Sequence, residues 1–202
     1  MFYETKNHHG LERNPFKSLI VPRPIGWISS QDRDGVVNLA PYSFFNGVCS
    51  DPPMVMFASE GTHMEGDSKD SATNAQATGE FVCNLATWEL REAMNATSEH
   101  VPRSVNEFEL AGLTPAPSRL VKPPRVKESP VHLECTHLQT VQLPGNDPEH
   151  PTLVVFGKVV GIHIDESIIS DGMIDMSVFK PIARLGYMDY TVVDNVFTML
   201  RP

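Results

Sequence analysis

The stretch Asn38-Leu39-Ala40-Pro41-Tyr42-Ser43-Phe44-Phe45 carries more polar, turn-forming and aromatic residues than a core strand would want. An Asp34-Gly35 turn precedes it and the rigid Asp51-Pro52-Pro53 follows. Upstream, Ile25 to Ser30 reads as a strand, Gln31 to Gly35 as a turn, and Val36-Val37 as the start of a returning strand, so a hairpin is expected. Phe44 to Cys49 and Met54 to Ala58 read as two more short strands on either side of the proline pair. Pro22 and Pro24 belong at an edge, because neither can donate to a ladder.

Farther along, Lys69-Asp70-Ser71 opens a helical pattern holding Ala72, Ala75 and Ala77, and Gly79 closes it as a C-cap. Glu80 to Leu85 alternates like a strand. A second helix is expected from Thr87 as N-cap, with Leu90 to Met94 inside it, and a short third one over Asn106 to Leu110. Pro115 and Pro117 predict an irregular loop. Between Arg125 and Leu143, Val131, Leu133 and Cys135 face one way and His132, Glu134 and Thr136 the other. Pro144 to Pro151 reads as a polar turn. Leu153 to Ile164 is the longest β-rich run, and Gly157 and Gly161 within it predict a bulge or a close approach of backbones. Many antiparallel strands, few helices and no βαβ alternation predict one mainly β domain over residues 1–202, a closed or partly open barrel.

Charge excludes one class of partner. The 16 Lys+Arg against 25 Asp+Glu give a net charge of −9 with no basic run, so no nucleic-acid surface is expected and an anionic ligand must be held by a few local donors. Cys49, Cys83 and Cys135 are odd in number, widely spaced and without a C-x-x-C pair, which predicts buried free thiols in a reducing compartment. The N-terminus lacks an apolar signal segment, and no apolar run approaches the ~20 residues of a membrane helix. The cytoplasm is the expected location, with no membrane partner.

Two segments invite a binding reading. Lys69 beside a helix N-terminus is on the wrong end of the helix dipole unless an anion sits between the lysine and the free amides. Spacing alone equally allows Asp70 or Ser68 to cap the helix while Lys69 extends into solvent. In the stretch around Asn38, Ser43 and nearby amides can donate to a phosphate. Asn38 can satisfy polar ring edges, and Trp27, Tyr42 and Phe44 offer flat surface to an aromatic ligand. A sheet rim with packed aromatics explains the same residues. His132, Glu134, Cys135 and His137 cannot converge on one metal, since alternation splits them between two faces, so no metal is expected. No G-x-G-x-x-G or G-x-S-x-G occurs, and Gly61 and Gly66 keep P-loop spacing without the Lys-Ser/Thr that should follow.

In order and spacing, several segments resemble the flavin reductase-like proteins with an FMN-binding split β-barrel. They are Trp27 to Ser30, Gly35 to Pro53, Lys69-Asp70-Ser71, Thr78 to Leu85, Glu128-Ser129-Pro130 leading to Glu134-Cys135, Pro181 to Gly186, and Tyr190. The resemblance runs from Pro22 to Pro202. It implies a six-stranded antiparallel split barrel with Greek-key connections and a few flanking helices, forming a homodimer with FMN near the subunit interface. It implies that Trp27, Ile28, Ser29 and Ser30, with Asn38, Leu39, Ala40, Pro41, Tyr42, Ser43 and Phe44, line the flavin. Lys69, Asp70 and Ser71 would hold phosphate or ribityl oxygens, and Arg184 would approach the cofactor from the C-terminal region. Two positions depart from the pattern: Ser71 stands where threonine is common, and Tyr187 where a second glycine is common after Gly186.

The implied chemistry is hydride transfer from NADH or NADPH, as transient co-substrate, to N5 of the flavin, with the protein supplying position and electrostatics and no catalytic side chain. The implied role is an NAD(P)H-dependent flavin oxidoreductase, with a flavin-accepting monooxygenase as one class of partner. The alternative is a flavoredoxin-like FMN electron carrier that does not oxidise NAD(P)H directly. A pyridoxamine-phosphate-oxidase-like relative is a third, against which Arg184-Leu185-Gly186 argues.

Overall fold

A computed structural model describes residues 1–147 and 149–201. After α1 (Phe16–Leu19) come β1 (Arg23–Pro24), β2 (Gly26–Gln31), β3 (Val37–Tyr42), β4 (Phe45–Ser50) and β5 (Pro53–Ser59). Helix α2 (Asp70–Thr78) leads to β6 (Glu80–Leu85), α3 (Arg91–Ala96), α4 (Glu107–Leu110), β7 (Pro115–Ala116) and β8 (Arg125–Val126). Two long strands follow, β9 (Val131–Asp147) and β10 (His150–Ile164). The chain closes through β11 (Ile169–Ser170), β12 (Met173–Ile174), α5 (Met176–Phe179), β13 (Ile182–Arg184) and β14 (Tyr190–Val192).

The main sheet has seven strands in the order β3-β2-β6-β9-β10-β5-β4, every pair antiparallel. The expected six-stranded barrel is thus corrected to a seven-stranded sheet, because β4 pairs with β5 along a full ladder and counts as a strand of its own. Its two outer strands, β3 and β4, are separated in sequence only by Ser43 and Phe44. A sheet whose edges are joined by two residues has to roll up until they meet, and the Ala58 amide donates to the Phe44 carbonyl at 2.8 Å, carrying the β4–β5 ladder into that corner. The barrel is split at this seam.

The hairpin predicted around Asp34-Gly35 forms, with Gln31 opposite Val37 and the Asp32 carboxylate accepting the amides of Asp34 and Val36. Strand β2 is buried on both faces. Ile28 points into the barrel with Tyr42, Phe57, Phe81, Cys83 and Cys135, where Ala72 and Ala75 of α2 plug the interior. Trp27 points outward into a second core with Leu39, Met94, Phe108 and Ile182, beneath α3 and α4. Gly79 caps α2 at φ +77°, the left-handed conformation that glycine adopts without penalty. Both glycines of β10 sit at register shifts, and a Cβ on Gly157 would stand 2.3 Å from Phe81 Cζ, so close packing fixes that glycine.

Four local expectations shift. The second helix starts at Arg91, because Thr87 is drawn into a bridge with Pro181. Pro115–Ala116 pairs with Arg125–Val126 rather than staying irregular. The turn expected over 144–151 includes Pro148, outside the described residues, but β9 runs to Asp147 and β10 resumes at His150, so the connection is shorter. Of the three free cysteines Cys83 and Cys135 are buried, while Cys49 is exposed on edge strand β4.

Candidate functional site

A cleft of about 270 Å³ opens at the seam, lined on one side by Asn38, Ala40, Pro41, Tyr42, Ser43 and Phe44 and closed at one end by Lys69 and Asp70. Eight of the fifteen residues expected to bind a cofactor therefore meet in one place, although two sequence segments about thirty residues apart supply them. The chain leaves β3 with its side chains facing the opening where the sheet edges part, and α2 begins beside them.

Lys69 is the N-cap of α2, and no side chain caps this helix. Both plain-capping alternatives fail: Asp70 instead pairs with Arg103, Oδ1 to Nε at 2.7 Å, and Ser68 is bridged to Thr62. The ammonium of half-buried Lys69 has no hydrogen-bond or ion-pair partner among the described residues, and burial holds it below the ordinary lysine value. Glu60, the nearest acid acting on it, is already paired with Lys17 at 3.2 Å. A desolvated cation at a helix N-terminus is a site prepared for an anion.

The rest of the wall is polar at one level and aromatic at another. Asn38 Nδ2 donates to Ser71 Oγ at 2.8 Å, and among the described residues nothing donates to the Asn38 side-chain Oδ1. The buried Tyr42 hydroxyl is raised to about 12 by desolvation and has Ser71 and Ser59 as side-chain partners. Phe44 carries Lys17 5.3 Å above its ring and Arg23 at 5.8 Å.

Six of the expected residues sit behind the cleft rather than on its surface. Trp27, Ile28, Ser29, Ser30, Leu39 and Ser71 are fully buried. Trp27 donates to Thr97 Oγ1 at 2.9 Å and Ser29 to the Pro124 carbonyl, while Ser30 Oγ accepts from Asn74 at 3.1 Å. Their side chains brace the cleft wall. Arg184 lies elsewhere, in a second cleft of about 580 Å³ beside Trp88, Arg91 and Tyr190. There it stacks 4.4 Å from the Tyr190 ring and donates to the Tyr187 carbonyl. Tyr187 has φ +54°, a conformation that favours glycine, so tyrosine is held there in a backbone conformation it rarely adopts.

Sequence reasoning missed Lys17, His63, Glu107 and Arg23. Lys17, His63 and Glu107 line the cleft from α1, a loop and the first position of α4. Arg23 is nearly fully buried and donates to the Ile20 and Leu185 carbonyls at 2.7 and 2.8 Å, with Ser43 Oγ at 3.5 Å. It ties α1, β13 and the corner together.

The residues suspected of metal binding do other work. Fully buried Glu134 accepts the amides of Arg119 and Leu120 at 2.8 and 2.6 Å and His163 Nε2 at 2.5 Å. Burial pushes its carboxyl up, but these donors outweigh burial and hold it below the usual range. His132 donates Nε2–H to the Val126 carbonyl at 2.7 Å, and burial lowers it to about 4.

The family model described as flavin reductase like domain matches residues 18–183. The chain belongs to the flavin reductase-like family. Among relatives of this flavin reductase-like chain, an uncharacterized protein of Aquifex aeolicus is 41% identical over 169 residues, 83% of each chain. The crystal structure of nitrilotriacetate monooxygenase component B from Bacillus cereus superposes with a TM-score of 0.87 at 31% identity over 98% of both chains. Flavoredoxin of Desulfovibrio vulgaris, at 17% identity, shares the fold with a TM-score of 0.75 over 98% of this chain and 97% of its own.

Proposed function

We propose that this protein binds FMN in the seam cleft and transfers reducing equivalents from NADH or NADPH to it, as a homodimer serving a flavin-dependent monooxygenase. The observation that carries this is the unpartnered, half-buried Lys69 ammonium at the start of α2, facing a wall of Asn38, Tyr42, Ser43 and Phe44. Lys69 and the first amides of α2, whose N–H groups have no intrahelical partner, would hold the phosphate. The Asn38 side-chain Oδ1 and Ser43 hydroxyl would meet polar edges of the ribityl chain or ring, and Tyr42 and Phe44 would pack against its flat surface. When bound, the flavin would accept a hydride at N5, which side chains cannot do. The chain's own contribution is to bind and orient it.

Family membership and the likeness to a monooxygenase component B support the reading. The homodimer is supported by size and surface. The cleft is smaller than the roughly 300–1,000 Å³ of enclosed ligand sites, so part of a flavin stays uncovered until a second surface joins. Val196, Phe197, Met199 and Leu200 are exposed together near the C-terminus and are suited to such a contact. On that arrangement Arg184 reaches the cofactor of the other copy.

The test is a titration of purified protein with FMN followed by anaerobic mixing with NADH and with NADPH. Saturable binding and bleaching by one nucleotide are expected. No FMN binding would refute the proposal, and binding without bleaching by either nucleotide would leave the electron-carrier alternative.

A further inference from the structure

The wall between the cofactor cleft and an adjoining cavity of about 280 Å³ contains two acids, since Asp70 and Glu107 line both spaces. Asp70 follows Lys69 directly, and a free carboxylate there would repel a phosphate. Arg103 lines only the adjoining cavity and grips Asp70 from behind, Nε to Oδ1 at 2.7 Å. Its Nη2 donates to the carbonyls of Gly66 and Ser68 at 3.2 and 3.4 Å, and its Nη1 stands 3.9 Å from a Glu65 carboxylate oxygen. His63 Nε2 stands 3.7 Å from the other Asp70 oxygen. The hydrogen bond to Asp70 in turn holds the Arg103 guanidinium above the ordinary arginine value.

Glu107 is managed differently. It is nearly fully buried, accepts the Leu39 amide at 3.2 Å, and burial pushes its carboxyl up toward the neutral form. Neither acid of the shared wall presents an uncompensated charge to the cleft.

We infer that Arg103 is a positioning residue of the anion site: by pairing with Asp70 from the far side of the shared wall, it cancels a charge that would otherwise oppose a phosphate held by Lys69. This rests on the FMN reading above. Arg103 also joins two loops, so a purely structural role would act on any flavin, whereas this role acts through the phosphate alone.

The experiment titrates FMN and riboflavin into wild type, Arg103→Met, Asp70→Asn and the double variant, at low and high salt. Arg103→Met is expected to bind FMN roughly tenfold more weakly at low salt, a gap that narrows toward about 1 M salt, where screening acts within about 3 Å. Riboflavin affinity stays unchanged. Adding Asp70→Asn restores FMN binding, and Asp70→Asn alone binds FMN at least as tightly as wild type. Equal losses for both flavins, no loss at all, or no rescue by Asp70→Asn would overturn the role. Wild type that binds neither flavin would overturn the cofactor reading itself, and this role with it.

Discussion

Replacing Lys69 with methionine separates a binding role from a folding role, because the charge has no partner among the described residues. The aliphatic stem is half-buried and methionine fills a similar volume. No ion pair breaks, and the desolvation that lowers the lysine is relieved, so stability should be unchanged or slightly higher. The phosphate loses a charge-assisted contact worth roughly 1.5–3 kcal/mol, which is about a 10- to 150-fold rise in Kd. Quenching of flavin fluorescence during titration measures this, with thermal unfolding as the stability control. Linkage gives the sign with pH. With its folded value below 10.5, Lys69 loses its proton in the native protein before it does in the unfolded chain. Wild-type affinity for FMN therefore falls as pH rises through that lowered value, while protein stability rises slightly across the window up to 10.5. The variant should show neither trend. A Lys69→Met protein that binds FMN as tightly as wild type, with the same pH dependence, would refute the anion-site argument.

The buried polar groups and the packed glycine make further predictions. Gly157→Ala puts a methyl 2.3 Å from Phe81 Cζ and should cost roughly 1–3 kcal/mol in urea unfolding, with Phe81→Leu in the same chain recovering part of the loss. Glu134→Ala removes a fully buried carboxylate and leaves the amides of Arg119 and Leu120 and the His163 ring without their acceptor; a loss of roughly 3–5 kcal/mol is expected, with faster hydrogen exchange at 119 and 120 than at β2. His132 is neutral when folded, at about 4 against an ordinary 6.5, so stability falls as pH drops from 6.5 to 4 and this contribution then levels off. The total is on the order of 3 kcal/mol, and a His132→Gln protein should lose most of that acid limb in unfolding curves recorded between pH 7 and 4.

Period-2 alternation and turn residues made the strands, the Asp34-Gly35 hairpin and the Gly79 cap legible, because each is set by neighbours in sequence. Asn38 to Phe44 and Lys69, which line one cleft, stood out in the sequence because polar and aromatic residues there contradict a plain core strand or capped helix. What escaped was set by distant contacts. Thr87 has the chemistry of an N-cap, but Pro181 claims it, and nothing near residue 87 records a partner ninety-four positions away. Trp27 and Ser29 share the segment that carries the family likeness, yet strand alternation turns them outward beneath α3 and β8, away from the cleft. Lys17 and Arg23 reach the site from α1 and β1, elements of four and two residues, and Arg103 reaches its back wall from a loop, all too short for a period to reveal a direction.

The seam explains why the cleft lies where it does. A sheet edge exposes amides and carbonyls that must be paired, covered or blunted. On β3 the Leu39 amide is capped by Glu107, so a side chain satisfies an edge group that a closed barrel would satisfy by pairing. This partner comes from α4 and blunts the β3 edge there. The gap that remains is lined by the aromatic and polar side chains of the strand end, with α2 starting beside it. On this argument the unusual composition of Asn38 to Phe45 is a consequence of topology: a strand ending at the split must both cap an open edge and present side chains to the opening. Glu107→Ala tests the link. It should expose the Leu39 amide, increase its hydrogen exchange, and weaken FMN binding through distortion of β3, to the same extent for riboflavin as for FMN. A selective loss of FMN alone would mean that Glu107 acts on the phosphate and not on the edge.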